Sequence, residues 1–246
     1  TPNFENEAII PRREWDVAEL RAAPIDEVEV PLLDSAKQKL LALRQDRTAP
    51  AVDVKMITAW NGLTIRGLAD AGRVFDNAAA IDFARDAAEF CLAKLRDGAG
   101  RLHRTYTSGE AKLAGYLDDY AFLLDGLIAL YEATGESRWL EEAAAIADVQ
   151  IELFADSSGG GFYYTASDQS QLLVRGKQPH DGPLPSSAAI SARNLMILAR
   201  KLNRSDFAEL AESTLKSLAP RLAEVPAAMP RTAVLVEERL ASEQKN

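Results

Sequence analysis

The strongest constraint on what this chain can fold into is a repeat within its own sequence. A shift of about sixty residues lays Gly67-Leu68 on Gly126-Leu127, Asp97 on Asp156 and Leu102-x-x-Thr105 on Phe162-x-x-Thr165. A weaker third copy places Asn194-Leu195 on the first pair. Self-similarity at that period marks a unit that cannot bury its apolar face alone, so neighbouring units must stack on one another. Within each unit, apolar residues recur at helical spacing over two segments, and a glycine-flanked stretch that alternates like a strand follows. The expected fold is all-α: helical hairpins stacked side by side, with short β-hairpins between the helix pairs. In such an array the starts of equivalent helices gather at one end, and the chemistry is expected there.

The first unit is expected to run as a helix from Thr58 to Val74, burying Leu63, Gly67, Leu68 and Ala71, and a second from Ala79 to Leu95 carrying Phe83, Ala87, Phe90, Cys91 and Leu95. Glycines in Arg96-Asp-Gly-Ala-Gly100 stop that helix, and Leu102 to Tyr106 turns at Ser108-Gly109 toward Lys112-Leu113. The second unit repeats the plan, with Leu117 to Ala133, a partner helix through Trp139 and Ile151, and Gly159-Gly-Gly161 leading to strands at Phe162 to Thr165 and Leu172 to Arg175. The third has a helix from Ser186 to Leu202 and a return helix through Phe207 and Leu218, and a last helix is expected near Val234 to Leu240. Ahead of the repeat, residues 1–52 read as an arm with prolines between Phe4 and Pro31, then a helix marked by Leu33, Ala36, Leu40 and Leu43. Residues 53–246 read as the repeat region, within one structural domain.

Three helix pairs are legible where a closed ring takes about six. A partial ring is expected to expose inner faces such as Leu123, Leu127 and Tyr131, so the chain is expected either to form homo-oligomers or to belong to a longer polypeptide.

Composition removes several function classes. A net charge of −9 does not suit a nucleic acid or an anionic membrane as principal partner, since both demand a basic face. No apolar run is long enough to span a bilayer. Cys91 is the one cysteine; it sits in an apolar helical stretch as a small buried hydrophobe, and a cytoplasmic protein is expected. No His/Cys cluster has metal-ligand spacing, and no metal or other cofactor is expected. Gly159-Gly-Gly161 follows a helix and precedes a strand, the reverse of a phosphate loop.

Three motifs carry a resemblance: Asp53-Val-Lys-Met-Ile-Thr-Ala-Trp-Asn-Gly-Leu63, Gly115-Tyr-Leu-Asp-Asp-Tyr-Ala-Phe122 and Gly159-Gly-Gly-Phe-Tyr163. Together they resemble the C-terminal half of the thioredoxin-domain-containing family that includes the spermatogenesis-associated thioredoxin-like proteins. The resemblance covers about residues 3 to 220 and implies an (α/α)6 toroid, here partial, of the kind found in six-hairpin glycosidases and N-acylglucosamine 2-epimerases. It also implies an N-terminal thioredoxin-like portion, which this chain lacks, so no Cys-x-x-Cys chemistry is assigned to it. Where the family continues Lys-x-x-Tyr-Asp-Gly-x-x-Pro-Ser-Gly-Asn, this chain has Lys177-Gln-Pro-His-Asp-Gly-Pro-Leu-Pro-Ser-Ser-Ala188. The tyrosine is His180, and the Gly-Asn pair is Ser187-Ala188, without the amide.

In a toroid the inner helices start at one rim, where free N–H groups and positive dipole ends favour hydroxyls and anions. Residues at those starts are Asp53, Lys55, Trp60 and Asn61, then Asp118, Asp119 and Tyr120, then His180, Asp181, Ser186 and Ser187. The hairpins bring Arg104, Tyr106, Tyr163, Arg175 and Lys177 toward the same rim. Carboxylates, aromatic platforms and cations together suit a sugar or polyol ligand. Glycosidic cleavage uses two carboxyl groups about 5–5.5 Å or 6.5–9.5 Å apart. Successive helical residues diverge by about 100°, so Asp118 and Asp119 cannot converge, and a partner must come from Asp53 or Asp181. The same aspartates equally suit helix capping and first-turn charge. Trp60 is balanced between a sugar platform and a core plug. His180 beside Asp181 is the better of two histidines for a base, His103 reading as a strand surface residue. Two readings stay open: a non-catalytic scaffold or ligand-binding module, and a glycosidase-like or epimerase-like enzyme.

Overall fold

A computed structural model describes residues 29–169 and 173–243. The chain divides into two units after Asp53. In the first, helix α1 (Glu29–Gln45) presents Leu32, Leu33, Leu40, Leu41 and Leu43 to solvent. The proline-bearing arm expected before it lies outside the described residues as far as position 28.

The second unit holds the repeat. Its elements are β1 (Met56–Ile57), α2 (Thr58–Val74), α3 (Ala78–Lys94), β2 (His103–Thr107), β3 (Glu110–Ala114), α4 (Leu117–Thr134), α5 (Ser137–Phe154), α6 (Ser187–Leu202), α7 (Ser205–Glu224) and α8 (Pro230–Glu243). Helices α2, α4 and α6 lie side by side as an inner layer, each backed by the helix that follows it, and α8 packs against α6 and α7. This is the (α/α)6 toroid type of architecture, with three hairpins and one further helix among the described residues.

Helix α4 is the centre of the array. Its residues from Leu117 to Leu130 are buried almost without interruption, because it has an inner neighbour on each side and outer helices behind. That corrects the expectation for Leu123 and Leu127, which are fully buried, while Tyr131 is half-buried. A helix apolar all round belongs in the middle of a layer rather than at an opening. Exposed apolar side chains of this unit include Val74, Phe75 and Phe83 on the first hairpin and Val234 and Leu240 on α8.

The buried stripe of α2 also differs from expectation. It is Thr58, Ala59, Gly62, Ile65, Ala69 and Gly72, whereas Gly67 faces solvent. Small residues here let two backbones approach: a Cβ on Gly62 would stand 2.4 Å from Leu123 N, and one on Gly126 would stand 2.7 Å from Gly62 O. The next inner pair uses the same register, Asn194 Nδ2 donating to Ala121 O at 2.9 Å.

A belt of charge crosses this layer. Arg66, Asp125 and Arg193 each precede the repeated residue pair, and they meet in space: Arg66 Nη1 and Arg193 Nη1 lie 2.9 and 3.1 Å from Asp125 Oδ1. Arg193 Nε continues to Glu238 Oε2 on α8 at 3.5 Å. Signs therefore alternate along four inner helices, and Arg66 is further held by Asp70. Burial pushes the Asp125 carboxyl up despite the flanking guanidinia.

Strands β1, β2 and β3 form one antiparallel sheet in that order. His103 faces Ala114 and Thr105 faces Lys112, while Met56 and Ile57 pair with Tyr106 and Thr105. The β2–β3 turn is Ser108-Gly109, both with positive φ, the twist a two-residue hairpin demands. Strand β1 was not expected ahead of the first helix of the repeat. The second hairpin expected, at Phe162 to Thr165 and Leu172 to Arg175, does not form among the described residues. One bridge pairs Ala155 with Phe162, and Leu172 lies outside the described residues. The two segments meet instead through Tyr164 N, which donates to Gly176 O at 2.9 Å, and through the Arg175 guanidinium, which donates to Thr165 O and to Leu153 O of α5.

Candidate functional site

The rim is built where α2, α4 and α6 begin. Ile57, the residue before α2, has no side-chain acceptor, so the buried N–H of Ala59 needs one from elsewhere. Asp119 Oδ1 supplies it from α4 at 3.0 Å, and Oδ2 accepts from Tyr116 N at 2.9 Å. One carboxylate thus caps two inner helices. Arg104 on β2 approaches it at 3.3 Å. Burial pushes the Asp119 carboxyl up to about 6, against the opposing pull of these partners.

Asp118 diverges from Asp119, as helical geometry requires, and is half-buried at the cavity. Its Oδ2 accepts from the Tyr164 hydroxyl at 3.0 Å. Tyr164 stacks on Tyr116 with ring centres 5.2 Å apart, and the Arg104 guanidinium covers the other ring at 4.9 Å. Burial, with the Asp118 charge beside it, pushes the Tyr164 phenol up to about 12, so it remains a donor. Tyr116 and Tyr164 were missed in the sequence. A signal for Tyr164 existed: under the repeat shift it is the equivalent of Arg104, and both reach the start of α4.

Beside this cluster lies an open cavity of about 430 Å3, walled by Trp60, Asp118 and the segment from Gln178 to Ser187, His180 and Asp181 included. Trp60 is 57% exposed, so it is no core plug. Asp181 spends both oxygens on backbone: Oδ1 accepts from Ser186 N at 2.6 Å and Oδ2 from Arg231 N at 2.8 Å, tying the starts of α6 and α8 together. His180 is exposed, and its Nε2 accepts from Arg221 Nε at 3.0 Å. Ser186 caps α6 through Ala189 N.

The remaining expected residues lie elsewhere. Tyr120 is a buried plug whose hydroxyl accepts from Leu102 N at 2.8 Å. Asn61 turns back to donate to Ile57 O, and Tyr106 packs edge-on against Phe90. Tyr163, Arg175 and Lys177 form a separate cluster in which both cations cover the ring. Lys177 also meets Asp156 at 2.7 Å, which helps to hold that carboxyl well below its usual range. Lys55 is exposed, and Asp53 belongs to the first unit. Among the described residues no group of three or more His, Cys, Asp or Glu could hold a metal ion, and no helix is long and apolar enough to cross a membrane.

Comparison with known proteins agrees with this architecture. No family model matches the chain. Human spermatogenesis-associated protein 20 is 37% identical over 209 residues, which cover 81% of this chain and 27% of the relative. The chain therefore spans about a quarter of the length of the curated relatives it matches. Among solved structures, a family 76 α-mannanase from Bacteroides thetaiotaomicron superposes with a TM-score of 0.56 at 21% identity, covering 69% of this chain and 46% of the enzyme. The cellobiose 2-epimerase of Spirochaeta thermophila gives 0.53 at 19% identity, covering 65% and 42%. These likenesses carry the fold alone, and each matches slightly less than half of the solved chain. The chain is a homologue of one stretch of spermatogenesis-associated protein 20, folded as hairpin repeats of the six-hairpin glycosidase and epimerase type.

Proposed function

We propose that this chain is a ligand-binding module whose rim cavity takes a sugar or polyol, and that it is not by itself a catalyst. The observation that carries the reading is the state of the candidate acids at the rim. Asp119 is fully buried, and Asp181, though it lines the cavity, has both oxygens on backbone N–H groups. Asp118 is the described carboxylate of the cavity not spent on backbone, where glycosidic cleavage calls for two. An exposed indole beside one carboxylate suits binding: the ring face stacks on a sugar's C–H face and the carboxylate accepts from its hydroxyls. An epimerase reading would draw its base from His180, but the Nε2 lone pair of that ring is engaged by Arg221. The lone buried cysteine suits a reducing compartment such as the cytoplasm.

The test is a titration of the full chain with mannose, cellobiose and glucose, followed by tryptophan fluorescence and by thermal shift. Saturable quenching is expected with at least one sugar, lost in Trp60→Ala and weakened in Asp118→Asn. A flat response to every sugar defeats the binding reading, and hydrolysis or epimerisation by the purified chain defeats the claim that it is no catalyst.

A further inference from the structure

The charges around the rim cavity are of one sign. The ionisable side chains that line it are Asp118, His180 and Asp181, and among the described residues no lysine or arginine does so. The guanidinia that come near are engaged on other groups. Arg104 meets Asp119 Oδ2 at 3.3 Å and covers the Tyr116 ring, while Arg221 meets Glu224 Oε2 at 2.7 Å and donates to His180 Nε2. A ring nitrogen that accepts carries no proton, so His180 adds no positive charge to the wall. Asp181 has its oxygens on the N–H groups of Ser186 and Arg231 and has no acceptor to spare for a ligand. Asp118 does have one: its Oδ2 takes the Tyr164 hydroxyl, and among the described residues no hydrogen bond or ion pair occupies Oδ1.

Trp60 adds an independent preference of the same sign. The face of an indole carries negative charge density and attracts a cation as well as the C–H face of a sugar. An indole face and a carboxylate with a vacant oxygen are the two kinds of group that recognise an ammonium. We propose that the rim cavity prefers an amino sugar, a ring bearing a protonated primary amine, and that Asp118 is the residue that sets the preference; this rests on the sugar-binding reading above. The ammonium donates to Asp118, while the ring lies against Trp60. A uronic acid or a sugar phosphate brings a like charge to a wall that holds no cation to receive it, and so is disfavoured. An N-acylated sugar keeps the skeleton but presents a neutral amide, and loses the gain that charge provides.

Isothermal titration calorimetry of the full chain, just below neutral pH so that the amine is protonated, tests this on matched ligands. Glucosamine is compared with glucose, mannosamine with mannose, and the disaccharide of glucosamine with cellobiose. Each amino sugar is expected to bind about tenfold tighter than its parent, because a hydrogen bond to a charged partner outweighs a neutral one. Glucuronate and N-acetylglucosamine are expected to lack the gain. In Asp118→Asn, whose amide oxygen still accepts from the Tyr164 hydroxyl, amino and parent sugars are expected to bind alike. Amino sugars no tighter than a parent sugar that does bind overturn this proposal and leave the sugar-binding reading standing. No saturation with any sugar overturns both. A gain that survives in Asp118→Asn, or glucuronate tighter than glucose, overturns the proposal as well.

Discussion

Removing the Asp119 side chain tests how the inner helices are joined. In Asp119→Ala the N–H of Ala59 loses its acceptor within the core, and that of Tyr116 loses one in a half-buried position. A buried donor left unpaired costs about 1–3 kcal/mol, and Tyr116 recovers part of its loss from water. At neutral pH the variant is therefore expected to be less stable by about 2–4 kcal/mol, a fall in Tm of about 2–4 °C for each kcal/mol. The pH dependence is the sharper readout. A carboxyl whose folded pKa is raised from 3.8 to about 6 holds its proton in the folded state where the unfolded chain has released it. Its contribution is fully present below pH 3.8, falls as pH rises toward 6 and is flat above, a change of about 3 kcal/mol across the window. The lead of the wild type over Asp119→Ala should thus widen as pH is lowered from 7 to 4, measured by urea unfolding at each pH. A lead that narrows on acidification would refute the reasoning, since it would mean that Arg104 and the two N–H groups outweigh burial.

Three further outcomes follow from the packing. Gly62→Ala forces a Cβ to 2.4 Å from backbone and should destabilise by about 3 kcal/mol or more, while Gly67→Ala, whose Cβ meets no atom of the described residues within 4 Å, should stabilise the chain by about 0.5–1 kcal/mol; chemical denaturation of both variants checks the contrast. Asp125→Ala strips the shared anion from Arg66 and Arg193 and should cost about 3–5 kcal/mol, read by the same unfolding curves. Burial pushes the Cys91 thiol up to about 12, so a thiol reagent at pH 8 should label the native chain slowly and the urea-unfolded chain at once.

Much of the array was legible because its signal is periodic. The helix read at about Thr58 to Val74 is α2, and the β2–β3 hairpin declared itself through Ser108-Gly109. What failed were judgements of face. Leu63 and Gly67 looked buried, yet the buried stripe of α2 runs through Ala59, Gly62, Ile65 and Ala69, and at Gly62 the backbone of α4 leaves no room for a Cβ. The second hairpin failed for another reason: its segments are joined by Tyr164 N to Gly176 O and by the Arg175 side chain rather than by a regular ladder, and alternation cannot report that. At the rim, residue type drew attention to Asp118 and Asp119 alike, but only their partners separate them. One is locked by N–H groups from two helices, and the other meets a tyrosine at the cavity.

The alternation of Arg66, Asp125, Arg193 and Glu238 imposes a parity rule on how such arrays change length. Deleting the middle hairpin alone would seat Arg66 against Arg193 without Asp125, the anion they share. Excising two consecutive hairpins would keep opposite signs adjacent. Viable lengthening or shortening of this architecture should therefore proceed by even steps, unless a compensating charge reversal accompanies the odd one.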